Sequence, residues 1–278
     1  MSGDLRVTDR DVSPSTNSEA EVVFLGTGTS VGVPALGCPC DVCSSLDPLN
    51  HRTRCSIVIQ SKEGNLLIDT PPDLRTQLLR EKVSLVHEVM YTHEHADHLF
   101  GLDDLRLFPF HLGHPVPLNC EQRVEHRIRH SYDYAFSDAK PTHPGATPKL
   151  EFKTIRPYQR VEVLGLNVLP VRLRHGPRFD VLGFRLGNFA YCTDVSEMPE
   201  ETINALSGLE VLVLGALRYR PHPTHLHLDA AIKLSEQLQA KKTFLTHLSH
   251  DFDHHRVSDE LPAGIHLAYD GLRLKITT

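Results

Sequence analysis

The sequence predicts an α+β fold, a four-layer αββα sandwich with two β-sheets packed face to face and helices on both outer sides. Three observations lead there. Strand-like apolar runs precede a helix, a strand-rich middle follows, and strands alternate with helices again towards the end. No linker or internal repeat divides the 278 residues, so a single domain over residues 22–278 is expected. Several apolar runs also end directly on a His or an Asp, the arrangement by which a sheet presents side chains to a common rim.

Residues 1–21 are polar, with Asp4, Asp9 and Asp11 among Ser, Thr and Pro, and are expected to form a disordered arm. A first strand at 22–25 runs into Gly26, Gly28 and Gly32, read as backbone turns. Residues 34–50 are rich in Pro and Cys and carry no regular period, so this long loop needs something to hold it. Strands follow at 56–60 and 65–68, joined by a turn at 62–64. Thr70, Pro71 and Asp73 have the order of a cap, a first helical residue and a capping-box acid, which predicts a helix from there to Arg80. A buried strand at 86–91 leads straight into Thr92. The section 108–148 is read as a strand at 115–120, a helix at 124–134 and a loop at 141–148.

Beyond it, strands are expected at 151–155, 160–163, 167–173, 181–186 and 189–192. Helices return at 200–206, ended by Gly208, and at 229–238, where Ala230, Ala231, Leu234 and Leu238 share a face. Strands at 211–214, 243–246, near Leu267 and at 272–276 close the chain.

Composition excludes several classes. Hydrophobic residues make up 40% and charged residues 23%, as in a globular protein. The formal charge is -6, with no bulk positive charge of the kind that releases counterions from nucleic acid, so no large nucleic-acid partner is expected. No stretch reaches the ~20 apolar residues of a membrane helix. Residues 1–21 lack the apolar core of a secretory signal, so a cytoplasmic location is expected. The chain holds 19 His against 3 Met and no Trp, and imidazole serves both as metal ligand and as proton carrier.

The decisive run is Thr92-His93-Glu94-His95-Ala96-Asp97-His98. Such spacing lets one turn direct two imidazoles at one cation and a carboxylate with a third imidazole at another. His93 and His95 would diverge on a helix, so a loop is expected. His175, Asp194 and His247 each follow an apolar strand. Cys38, Cys40 and Cys43 have metal spacing, and three thiolates leave a tetrahedral zinc one ligand short. Cys55, Cys120 and Cys192 read as small buried hydrophobes. The glycines of 26–32 are followed by Pro34 and the cysteine loop rather than by a helix, which excludes a nucleotide-binding turn. The segment 251–255 reads as a solvated loop.

The His-x-His-x-Asp-His run, Asp69 before it, and the isolated His175, Asp194 and His247 resemble the metallo-β-lactamase superfamily of binuclear metal hydrolases. Within it the chain resembles the cyclic phosphodiesterases typified by phosphoribosyl 1,2-cyclic phosphate phosphodiesterase. That likeness is carried by the Gly26–Pro34 and Gly37–Cys43 stretches, Arg54 with Ser56, Asp69–Arg75 and Gly101–Arg106. The resemblance implies a first metal on His93, His95 and His175, a second on Asp97, His98 and His247, and Asp194 bridging them. Zinc, manganese and iron all suit such donors. It also implies a bridging hydroxide as nucleophile, oriented by Asp97, and His250 as the fourth ligand of a structural zinc. Asp69 would orient a ligand or its loop.

His225, 22 residues before His247, matches the histidine on the leaving-group side in the resembling enzymes. His222 and His227 stand close enough to compete for that role. Arg106 either reaches a phosphate or pairs with Asp103 or Asp104. The expected substrate is a small cyclic phosphodiester, phosphoribosyl 1,2-cyclic phosphate or a 2',3'-cyclic nucleotide, and a homodimer is compatible with the resemblance. The alternatives are a tRNA-processing or cofactor-biosynthesis hydrolase, as in the pyrroloquinoline quinone pathway, and a zinc-stapled binding protein without catalysis. The Gly-rich basic arm with which relatives grip precursor tRNA has no counterpart in this composition.

Overall fold

The computed structural model describes residues 19–137 and 142–278. The first half holds β1 (Glu19–Gly26), β2 (Ser56–Gln60), β3 (Asn65–Ile68), α1 (Leu74–Arg80), β4 (Glu88–Met90), α2 (Ala96–Leu99), α3 (Phe108–Leu112), β5 (Val116–Cys120), α4 (Gln122–Ser131), α5 (Asp133–Phe136) and β6 (Leu150–Thr154). The second holds β7 (Val161–Val163), β8 (Leu166–His175), β9 (Phe179–Leu186), β10 (Phe189–Cys192), α6 (Glu200–Ala205), β11 (Val211–Gly215), α7 (Leu228–Leu238), β12 (Lys242–Thr246), α8 (His254–Glu260), β13 (Ile265–Leu267) and β14 (Arg273–Thr277).

Two seven-stranded mixed sheets result, ordered β14-β1-β2-β3-β4-β5-β6 and β13-β12-β11-β10-β9-β8-β7. Each passes from antiparallel pairing at one end to parallel pairing at the other. Strand alternation builds the layers. On β1, Val22 and Phe24 face the second sheet and meet Phe184, Phe189 and Val213, whereas Val23 and Leu25 face outward onto Leu74 and Leu78 of α1. The outer face of the second sheet is covered by α6, α7 and α8 through Leu206, Ala231, Leu238 and Val257. The expected αββα sandwich is the one observed.

Several local expectations shift. β1 begins at Glu19, so Glu19–Glu21, expected in the arm, lie in the sheet; the rest of the arm, and Pro141 of the expected loop, lie outside the described residues. α1 starts at Leu74 rather than at Thr70. The Thr70 hydroxyl donates to the Leu99 carbonyl, and the Asp73 carboxylate accepts from Arg54, so neither caps as predicted. The expected strand 86–91 shortens to β4, and the helix at 124–134 divides into α4 and α5. The segment 251–255 is not a solvated loop: Phe252 is fully buried and Asp253 caps α8 by accepting from the Arg256 amide. Gly26 and Gly28 are not positive-φ turns. They lie where a Cβ would strike the backbone of residues 52–54, so glycine is required by close approach.

Candidate metal centre

Both sheets deliver side chains to one edge. The 93–98 run leaves β4 as extended chain up to His95 and then turns into α2. Extended backbone puts residues two apart on one face, so His93 and His95 converge, with His93 Nε2 2.9 Å from His95 Nδ1. The helical turn at Ala96 carries Asp97 and His98 to the neighbouring position, correcting the expectation of loop throughout. His175 is the last residue of β8, which ends two residues later than predicted, Asp194 follows β10 and His247 follows β12.

Two groups of potential ligands form. His93, His95, His175 and Asp194 place one donor atom each within 4.8 Å of the others, and so do Asp97, His98, Asp194 and His247. Asp194 belongs to both. Its Oδ2 lies 3.9 Å from His93 Nε2 and 3.8 Å from His175 Nε2, while its Oδ1 lies 3.2 Å from His98 Nε2 and 3.4 Å from His247 Nε2. Asp69, Asp194 and His247 all hold positive φ without being glycine, a backbone cost of ~1–3 kcal/mol each that persists where surrounding structure enforces it.

The outward nitrogens of His93, His98 and His175 are fixed by partners outside the two donor groups. Asp69 accepts from His98 Nδ1 at 2.8 Å, from the Thr92 amide at 2.8 Å and from the Thr92 hydroxyl at 2.8 Å. With its hydroxyl hydrogen spent there, Thr92 accepts from His93 Nδ1 at 2.9 Å. The Thr224 carbonyl accepts from His175 Nδ1 at 2.8 Å. Each ring thereby turns an Nε2 lone pair inward, as a metal ligand must. Thr92, Thr193, which donates to Asp194 Oδ1 at 2.8 Å, and the Thr224 carbonyl escaped the sequence reading. For the two threonines a signal was present: each directly precedes a His or Asp of the rim.

Electrostatics match the donor set. Burial, and then His98, hold His93 well below the usual imidazole range, and burial with His175 lowers His95. Burial alone would raise Asp194, but His247 and His98 outweigh it and keep the carboxylate ionised. His98 shows the reverse: burial disfavours its charge, yet Asp194, Asp97 and Asp69 raise it well above normal. Three carboxylates around one position call for a cation there. Buried His98 Nε2 and His247 Nε2 and Nδ1 also lack hydrogen-bond partners. The lowered rings of His93 and His95, the ionised Asp194 and the orphaned inward nitrogens of His98 and His247 fit divalent ions, whose charge would take the place of the proton that the carboxylates otherwise hold on His98, so these residues could hold them.

Of the three candidate histidines after β11, His225 is the one brought to the cluster. Its ring stacks on His247 at 4.6 Å and meets His175 at 4.6 Å, with Nδ1 4.0 Å from Asp194 Oδ2. His222 lies behind it, and His227 takes the N-cap position of α7. Burial, then His247, lower His225 to about 3, which favours the neutral ring in the absence of an anion beside it. Arg106 is not brought here: it pairs with Asp103, and the clefts it lines contain none of the cluster residues.

A second centre lies beside the first. His250 Nδ1 is 3.1, 3.8 and 3.3 Å from the sulfurs of Cys38, Cys40 and Cys43, a three-sulfur, one-nitrogen set suited to tetrahedral zinc. Burial pushes the Cys43 thiol up to about 11, whereas the Cys43 backbone amide, against burial, lowers Cys40. Buried Arg52 donates to the Ser249 carbonyl, and Asn50 bonds both Asp253 and the His254 amide. These contacts tie the cysteine loop to the strand end that carries His247. Cys55, Cys120 and Cys192 are buried, as expected.

Comparison with known proteins agrees with this geometry. The family model for the beta-lactamase superfamily domain matches residues 64–248. A structure of a new diphosphatase from the PhnP family superposes with a TM-score of 0.88 at 40% identity, covering 94% of this chain and 99% of that one. Zn(2+)-bound PqqB from Methylobacterium extorquens gives 0.74 at 20% identity over 91% and 99%, a likeness of fold. An octanoyltransferase from Porphyromonas gingivalis is 40% identical over 253 residues, 90% of this chain and 50% of that protein. The chain spans half or less of the length of the curated relatives it matches. No helix among the described residues is long and apolar enough to cross a membrane. Fold, matched model and the shared edge of histidines and aspartates together place the chain in the metallo-β-lactamase superfamily.

Proposed function

We propose that the protein is a binuclear metal-dependent phosphodiesterase that hydrolyses a small cyclic phosphodiester, with phosphoribosyl 1,2-cyclic phosphate and 2',3'-cyclic nucleotides as the candidate substrates. The observation that carries this reading is Asp194, whose two oxygens face two separate donor groups. His93, His95 and His175 hold one divalent ion and Asp97, His98 and His247 the other, with Asp194 shared. Zinc, manganese or iron there supplies an activated water and neutralises charge on the phosphoryl oxygens. Asp97 orients the attacking water. His225, beside Asp194, is placed to protonate the leaving oxygen; burial disfavours its charged form, so the proton it gives up is drawn from solvent once an anionic diester lies against the ring, and is replaced from solvent after each turnover. Asp69 holds His98 and the Thr92 turn in place, and Cys38, Cys40, Cys43 and His250 bind a structural zinc.

A small diphosphate is a second reading, favoured by the 40% identical diphosphatase. Octanoyl transfer has less support. Burial pushes the Cys55, Cys120 and Cys192 thiols up to about 12, leaving none of these three as an activated acyl acceptor. The test is steady-state hydrolysis by the metal-loaded protein of the two cyclic diesters, a linear diester, a small diphosphate and a β-lactam. The cyclic diesters are expected to show the highest kcat/KM. A higher value for the diphosphate establishes the second reading instead, and turnover of the β-lactam alone overturns both.

A further inference from the structure

Three buried imidazoles of the two donor groups are turned by a partner on Nδ1: Thr92 for His93, Asp69 for His98 and the Thr224 carbonyl for His175. His247 is the exception, since its Nδ1 is buried without a hydrogen bond. The ring is stacked on His225 at 4.6 Å and on His98 at 6.1 Å. A stack defines the ring plane, but unlike a bond on the far nitrogen it does not fix where Nε2 points. The direction of His247 therefore depends on the backbone that carries it. That backbone has a φ of 60°, which a residue other than glycine keeps only where its surroundings enforce it.

Those surroundings belong to the other centre. Three residues on, the His250 ring sits among the sulfurs of Cys38, Cys40 and Cys43. Between the two histidines, the Ser249 carbonyl accepts from Arg52 Nη1 at 3.3 Å. Arg52 is only 1% exposed, and its Nε and Nη2 are buried without partners, so this is the one hydrogen bond its guanidinium makes. A buried charge of this kind does not earn its place through stability. By contrast, no hydrogen bond among the described residues joins 34–52 or 249–254 to the segments 92–96 and 172–176, which carry His93, His95 and His175.

We infer that His250, anchored through the cysteine group, and Arg52 are positioning residues for His247, so that filling the cysteine group raises metal affinity at one position of the active centre and not at the other. The inference rests on the two-metal reading above and deepens it: the cysteine group decides whether the centre holds two ions or one. Such a coupling is reciprocal, so an ion on Asp97, His98 and His247 also tightens the cysteine group.

The test is stepwise loading of the full chain with Co(II), read by absorption and by chelator competition. A thiolate-to-cobalt charge-transfer band marks the cysteine group, and d–d bands without it mark the histidine and aspartate centre. His250→Ala is expected to weaken one of the two cobalt dissociation constants at the centre about tenfold or more and to leave the other as in the wild type. Arg52→Met, with the thiolate band intact, should weaken the same constant by a smaller factor, and Arg52→Lys, which keeps a donor for the Ser249 carbonyl, should restore part of it. In a His247→Ala background, H250A should change the centre less than about twofold, because no ring remains to be positioned. An equal loss in that background, an equal loss at both positions, or unchanged affinity in H250A overturns the inference. So does a wild type without the thiolate band, since His250 then has no metal to anchor it. No substrate enters the titration. Cyclic diesters left unhydrolysed would end the phosphodiesterase reading and leave the coupling standing, and unchanged cobalt affinity would do the reverse.

Discussion

Asp69 Oδ2 lies 2.8 Å from His98 Nδ1 while Asp69 Oδ1 accepts the Thr92 amide at 2.8 Å, so one fully buried carboxylate fixes both the start of the histidine run and the ring at its end. Asp69→Asn keeps the volume but offers an amide where a negative acceptor is needed. Metal affinity at the Asp97–His98–His247 group is expected to fall ~10–100-fold, with circular dichroism unchanged. Chelator competition with metal quantification is the measurement, and an unaltered affinity would remove Asp69 from this role.

His225 touches two of the rings at the centre without belonging to either donor group. His225→Ala should therefore lower turnover by about 10²–10⁴ and leave metal content as in the wild type. His222→Ala, one ring further out, should lower turnover less. Equal loss of bound metal and activity in H225A would mean that His225 is a ligand.

The cysteine loop has only one short helical turn, Pro48–Asn50, of its own, so its order is expected to depend on zinc. Cys38→Ser should remove one metal per chain and cost ~2 kcal/mol, about 4–8 °C in Tm. Metal analysis paired with thermal melts checks this. A full metal complement in C38S would exclude the Cys–His zinc site.

Gly26→Ala would set a Cβ 2.0 Å from the Arg54 carbonyl oxygen and 2.8 Å from that of Thr53. Backbone cannot yield as a side chain can, so a loss of ~1–3 kcal/mol or more is expected in denaturant unfolding. Gly37→Ala meets nothing within 4 Å and carries only the cost of its φ of 72°, ~1–2 kcal/mol. A smaller loss in G26A than in G37A would contradict the packing account.

What the sequence determined by itself is whatever depends on neighbours along the chain. Alternating and continuous apolar runs set most strands and the αββα layering, because side-chain direction follows from backbone period. The histidine run, the cysteine spacing and the strand-end positions of Asp194 and His247 were legible because each combines a distinctive residue type with a short separation. Helix starts were read less well: Thr70 and Asp73 have the composition of a cap but are drawn to Leu99 and Arg54, partners distant in sequence. Only the tertiary structure decided that one aspartate faces two donor groups, that Thr92 and the Thr224 carbonyl set the ring orientations, that His225 rather than His227 adjoins His247, and that Arg106 is spent on Asp103. Most of these are through-space relations between segments far apart in the chain, such as His93 and Asp194, and even where the partners are near, as for Arg106 and Asp103, no local propensity encodes which of several equivalent side chains will meet.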